Sequence, residues 1–96
     1  MKIRASQPSD LDELTEVWLQ SVRATHAFLS EADIQALLPE VRNTALPGVD
    51  LRVLCTDEGE VIGFSGLSGS AIEALFIAPP HLRRGGGRLL LDDARQ

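Results

Sequence analysis

With 96 residues the chain holds one domain at most, and its core is thin, because a domain of that size buries only about two-thirds of its unfolded surface. Apolar residues make up 44% and charged residues 24%, an ordinary balance for a soluble globular protein. The net charge of −5 argues against general nucleic-acid binding, since only residues 83–88 gather positive charge.

Residues 2–5 read as a short strand leading to a helix. Pro8 suits the first helical position, and Asp10, Asp12 and Glu13 place negative charge in the first turn. Leu11, Leu14, Trp18 and Val22 recur at spacings of three and four, one buried face running to about residue 24, with Trp18 in the core. Ser30 with Asp33 marks a second helix start, and Ile34, Leu37, Leu38 and Val41 continue the period. Pro39 predicts a kink or split there, and Pro47-Gly48 ends the helical region. Residues 51–56 and 61–67 read as apolar strands joined by the hairpin loop Asp57-Glu58-Gly59-Glu60. Ser68-Gly69-Ser70 makes the next turn, residues 71–77 a further strand, and a helix begins near Gly86. The predicted order is β-α-α-β-β-β-α, an α/β chain. Cys55 has no partner for an internal disulfide and reads as an inert buried residue. It forms no metal-ligand pattern with the widely spaced His26 and His81. Met1-Lys2-Ile3-Arg4 opens no apolar stretch of signal-peptide length, and no segment approaches membrane-spanning length. The expectation is a cytoplasmic protein with no membrane partner.

The run from Ile72 to Leu91 carries the chemistry. An apolar strand ends at Pro79-Pro80, crosses the loop His81-Leu82-Arg83-Arg84-Gly85-Gly86-Gly87-Arg88, and opens into Leu89-Leu90-Leu91. Successive glycines allow positive φ and close approach of backbone to a ligand. The first amides of the following helix lack intrahelical partners and sit at the positive end of its dipole. That combination binds phosphate, and Arg83, Arg84 and Arg88 add charge at the same spot. A Walker A loop would need Lys and Ser or Thr after the last glycine, where Arg88 and Leu89 stand. A dinucleotide fingerprint counted from Gly85 and Gly87 would need a third glycine where Leu90 stands. The remaining alternative to a ligand loop is a helix-start turn with a solvated basic cluster.

The run resembles motif A of the GNAT superfamily of acyl-CoA acyltransferases: a strand L-x-V/I, a proline, then R/Q-x-x-G-x-G/A leading into a helix. Leu75 and Ile77 match the strand, and Gly85 and Gly87 the two glycines. Two positions depart from it: Leu82 replaces the Arg/Gln, and Arg83 stands where glycine is common. The stretch Trp18-Leu19-Gln20-Ser21-Val22-Arg23-Ala24-Thr25-His26-Ala27-Phe28-Leu29-Ser30 is similar to the W-x-x-S-x-x-x-T-H-x-F-L-S segment of small bacterial members. The resemblance implies a mostly antiparallel sheet flanked by helices. It also implies a single partial domain over residues 1–96, truncated after the motif A helix.

For function, the resemblance implies an N-acetyltransferase with acetyl-CoA as donor and an amine of a small molecule or peptide as acceptor. The pantetheine arm would pair with the edge at Leu75, Phe76, Ile77 and Ala78, whose amides can also face the thioester carbonyl. The pyrophosphate would lie on Arg83, Arg84, Gly85, Gly86, Gly87 and Arg88. Glu73, in phase with Leu75 and Ile77, reads either as the general base or as a solvated strand carboxylate. His26 reads as a base or substrate contact, or as a hydrogen-bonded structural residue. Phe28 and Leu29 line the acceptor cleft or form a helix-end staple, and His81 is a ligand contact or simply exposed. The family's usual acid is a tyrosine, and this chain has none. The alternatives to turnover are a CoA-binding module and an inactive scaffold completed by another chain. With residues 71–77 on an open edge, and the Leu89–Leu91 face short of cover, self-association is the expectation.

Overall fold

The computed structural model describes residues 1–25 and 29–95. Strands β1 (Lys2–Ala5), β2 (Asp50–Cys55), β3 (Val61–Ser68) and β4 (Ala71–Ile77) form one antiparallel sheet in chain order. Helices α1 (Leu11–Thr25) and α2 (Glu31–Glu40) lie between β1 and β2, and α3 (Gly86–Ala94) follows β4. The element order matches the sequence reading.

Strand alternation divides the apolar residues of β2 between the two faces of the sheet. Leu51, Val53 and Cys55 join Phe64, with Leu14, Val17, Trp18 and Val22 of α1 and Ile34 of α2, in one cluster. Leu54 joins Ile62, Ile77 and Leu90 of α3 in the other. Because both faces are covered, β2 reads as a continuous apolar run. Ile62 and Phe64, two residues apart, should share a face, yet they belong to opposite clusters. The register shift between Leu54 and Cys55 accounts for this: Leu54 faces Gly63, Cys55 faces Val61, and Ile62 is the extra residue of a bulge. A second shift pairs Gly66 with Ala74 and Leu67 with Ile72, leaving Glu73 as the extra residue of β4.

The local signals mostly act as expected, with three corrections. Asp10 does not lie in the first turn of α1 itself. Pro8–Asp10 is a 3-10 turn ahead of α1, and the Asp10 carboxylate is buried. It accepts from the Gln7 amide at 2.7 Å and from both terminal nitrogens of Arg4 at 2.7 and 2.9 Å. The Arg4 hydrogen bonds hold Asp10 below the usual carboxylate range, against the opposing effect of burial. Pro39 does not split α2, because it sits one residue from the helix end. The irregularity follows it as a π turn, Val41–Ala45, closed by Leu46 N–H to Val41 O at 2.9 Å. The leucines of α3 are not equally uncovered: Leu90 is fully buried, while Leu89 and Leu91 are exposed. The reciprocal cap of Ser30 and Asp33 at the start of α2 is as read from sequence.

Candidate functional site

The site begins where β4 gives way to α3. Pro79–His81 forms a single 3-10 turn, closed by His81 N–H to Ala78 O at 2.9 Å. Arg83 at φ 65° and Gly85 at φ 87° then swing the backbone into α3. Gly85 is the N-cap and offers no side chain, and the helical ladder opens with Leu89 N–H to Gly85 O at 3.1 Å. The amides of Gly86, Gly87 and Arg88 are therefore left without helical acceptors at the positive end of the dipole.

The two glycines that open the helix do different work. A methyl group at Gly86 would stand 2.7 Å from Leu54 Cδ2, so this glycine lets α3 start tight against the sheet. One at Gly87 would meet only Ile77 Cδ1, at 3.6 Å, which is ordinary contact. No contact within the fold therefore requires glycine at position 87. Arg83 and Arg84 are exposed and make no ion pair with a described residue, and Arg88 reaches Asp92 one turn along at 3.7 Å. The loop is thus a cradle of unpaired amides ringed by arginines, suited to an anion.

Beside it runs the outer edge of β4, which pairs only with β3 among the described residues. The four residues read as a donor-binding strand do not present their backbones alike. Phe76 faces Phe64 across the pair, and Ala78 donates its amide to Ile62 O at 2.8 Å. The Ala78 amide is therefore already engaged and is not a donor for a thioester, a correction to the sequence reading. Alternation turns the N–H and C=O groups of Leu75 and Ile77 to the open side. The Phe76 side chain packs on the α1 face, its ring 5.6 Å from that of Phe64, while Leu75 and Ile77 face α3. From α1, Ser21 Oγ donates to Ile77 O at 3.0 Å, a buried contact between two distant parts of the chain. Ser21 lies in the motif-like segment from Trp18 to Ser30, but nothing in its spacing indicated that partner.

Glu73 is exposed, and the bulge at this residue interrupts the simple alternation that set it in phase with Leu75 and Ile77. Leu29 is partly buried against the α1 cluster. His26 and Phe28 lie outside the described residues. His81 lines a cleft of about 370 Å³ with Glu13, Glu16, Gln20, Glu60 and Ala78, on the α1 side of the strand end. Among the described residues no helix is long and apolar enough to cross a membrane.

This geometry has close counterparts in known proteins. The peptidyl-lysine N-acetyltransferase YjaB of Salmonella typhimurium is 39% identical over 94 residues, covering 98% of this chain and 64% of the relative. The solution structure of apo-form YjaB from Escherichia coli superposes with a TM-score of 0.86 at 38% identity, over 97% of this chain and 63% of that one. Over nearly its whole length the chain has the fold of the GNAT superfamily. No family model matches it. At 22% identity, the fold alone is shared with PaiA N-acetyltransferase of Thermoplasma acidophilum in complex with coenzyme A. That match has a TM-score of 0.79 and covers 98% of this chain and 69% of the other. The chain spans just under two thirds of the length of the YjaB relative, at 64%.

Proposed function

We propose that the protein is an acetyl-CoA-dependent N-acetyltransferase whose acceptor is an amine, with a lysine side chain of a protein or peptide as the favoured class. The observation that carries this reading is the continuity of the donor site. The open N–H and C=O of Leu75 and the open N–H of Ile77 lead, through one turn, to the unpaired amides of Gly86, Gly87 and Arg88. Such an edge accepts an extended amide-bearing arm as an added strand, and the amide cradle accepts its pyrophosphate, with Arg83, Arg84 and Arg88 around it. The acceptor class follows the names of the relatives, which are peptidyl-lysine N-acetyltransferases. A small-molecule amine is the other acceptor, and a cytoplasmic location goes with either.

Acetyl-CoA supplies the acetyl group as a thioester. The amine nitrogen forms the new bond to the carbonyl carbon, the carbon–sulfur bond breaks, and the amine gives up a proton. In this reading Glu73 takes that proton, and His26, Phe28 and Leu29 border the acceptor. The departing thiolate takes up a proton. The second reading is a module that binds CoA without turnover. The open edge of β4 is also where a second copy would pair.

Acetyl-CoA at about one hundred times its dissociation constant should stabilise the protein by roughly 2.7 kcal/mol. A thermal-shift comparison with NADH and ATP at equal concentration tests the donor. No shift with acetyl-CoA, or a larger one with NADH, sinks the reading. A thiol-release assay with lysine-containing peptides then separates turnover from binding alone.

A further inference from the structure

We propose that Ser21 is a positioning residue for the acyl donor, acting on the peptide unit between Ile77 and Ala78; the inference rests on the donor-site reading above. Both partners are well buried, Ser21 at 6% exposure and Ile77 at 9%, and the Ser21 hydroxyl donates to Ile77 O at 3.0 Å. The other end of the same peptide unit, Ala78 N–H, donates to Ile62 O at 2.8 Å. This plane is therefore held at both ends, by α1 through its carbonyl and by β3 through its amide. It is the last peptide unit of β4 before the Pro79–His81 turn, so its orientation sets the direction in which the chain departs toward the anion loop.

The engagement also makes the open edge unequal. Leu75 presents both N–H and C=O, a two-way pair for an extended ligand, whereas Ile77 presents its N–H alone. A free Ile77 carbonyl would set one acceptor against the acceptor oxygens of a thioester or phosphate. With that carbonyl taken by Ser21, the Ile77 amide is left as a lone donor for a ligand carbonyl. Hydrogen bonds at both ends of a peptide unit polarise and strengthen each other, which favours a rigid edge.

The test compares Ser21→Ala and Ser21→Thr with the 96-residue wild type. Acetyl-CoA affinity is measured by calorimetry at a temperature where circular dichroism shows each variant folded. Amide shifts of Leu75, Ile77, Gly86 and Gly87 are followed through the titration. Loss of the hydroxyl should weaken binding about tenfold and shrink the ligand-induced shift of Ile77 more than those of Gly86 and Gly87. Ser21→Thr, which keeps the hydroxyl, should bind within about twofold of wild type. A merely structural serine would lower the melting temperature of Ser21→Ala while leaving affinity and the Ile77 shift unchanged, and that result overturns the proposal. So does a wild-type Ile77 amide that stays still while Leu75 moves, whether or not the alanine variant folds. A wild type that does not bind acetyl-CoA at all is a different failure, because it removes the donor reading itself.

Discussion

Arg83 occupies a left-handed backbone position at φ 65°, one that costs a side-chain-bearing residue about 1–2 kcal/mol relative to the ordinary helical region. The sequence marks this as the place where the resembled motif commonly has glycine, but only the dihedral gives the reason. Arg83→Gly should raise stability in chemical denaturation by about 1 kcal/mol and weaken anion binding slightly through the lost charge. An unchanged midpoint would mean that the arginine is held there without strain. Gly87 carries the sharper test, because its two effects have opposite signs. Within the helix start, Gly87→Ala should stabilise by about 0.5–1 kcal/mol, since the added methyl meets only Ile77 at 3.6 Å. Acetyl-CoA affinity should nevertheless fall under the proposed donor site, because a side chain at the helix start hinders close approach of the backbone to phosphate. Equal or tighter binding by this variant would show that the loop works through its arginines instead.

Elements are joined by a few part-buried ion pairs between side chains of different elements. The Arg4–Asp10 pair fastens β1 to the turn that starts α1, and Arg52, bonded to Asp93 at 3.0 and 3.1 Å, fastens β2 to α3. Asp10 binds its proton more weakly folded than unfolded, so unfolding in acid takes up a proton. Its contribution is complete above the ordinary carboxylate range and is lost as the pH falls through that range to the lower folded value. Asp10→Asn should therefore destabilise by about 1–3 kcal/mol near neutral pH, with the gap to wild type closing as the solution is acidified. Denaturant titrations across that range check both halves, and a gap that widened in acid would assign the pair the wrong sign. The sequence placed Asp10 correctly at a helix start, yet it read as a dipole residue. The arginine that claims it comes from a different element.

At the scale of the whole molecule, one thin sheet separates two unequal clusters, the larger under α1 and α2 and the smaller under α3. The β4 edge is unpaired among the described residues, and Ile72, Leu89 and Leu91 are exposed at 41%, 39% and 38%. Open edges flanked by apolar side chains recruit further strands. The 96-residue chain is expected to associate in a concentration-dependent way in light scattering, and Ile72→Lys, which charges the edge, to reduce that association. A monomer at all concentrations would remove the edge as a pairing surface.

The order of strands and helices, the capped start of α2 and the glycine-rich entry to α3 were all legible in the sequence, because each rests on local periodicity or on a residue's own backbone preference. Both bulges escaped it. An extra residue in a strand appears only when its partner strand is in place, so neither the crossing of Ile62 to the α3 face nor the unpaired register position of Glu73 could be read from alternation alone. The division of β4 into engaged and open amides was hidden for the same reason, since it depends on which neighbour β3 presents. Ser21 shows the limit most clearly. Its place on α1 follows from a spacing of three and four. Its hydrogen bond to Ile77, 56 residues away, exists only because tertiary folding lays that helix across the end of β4.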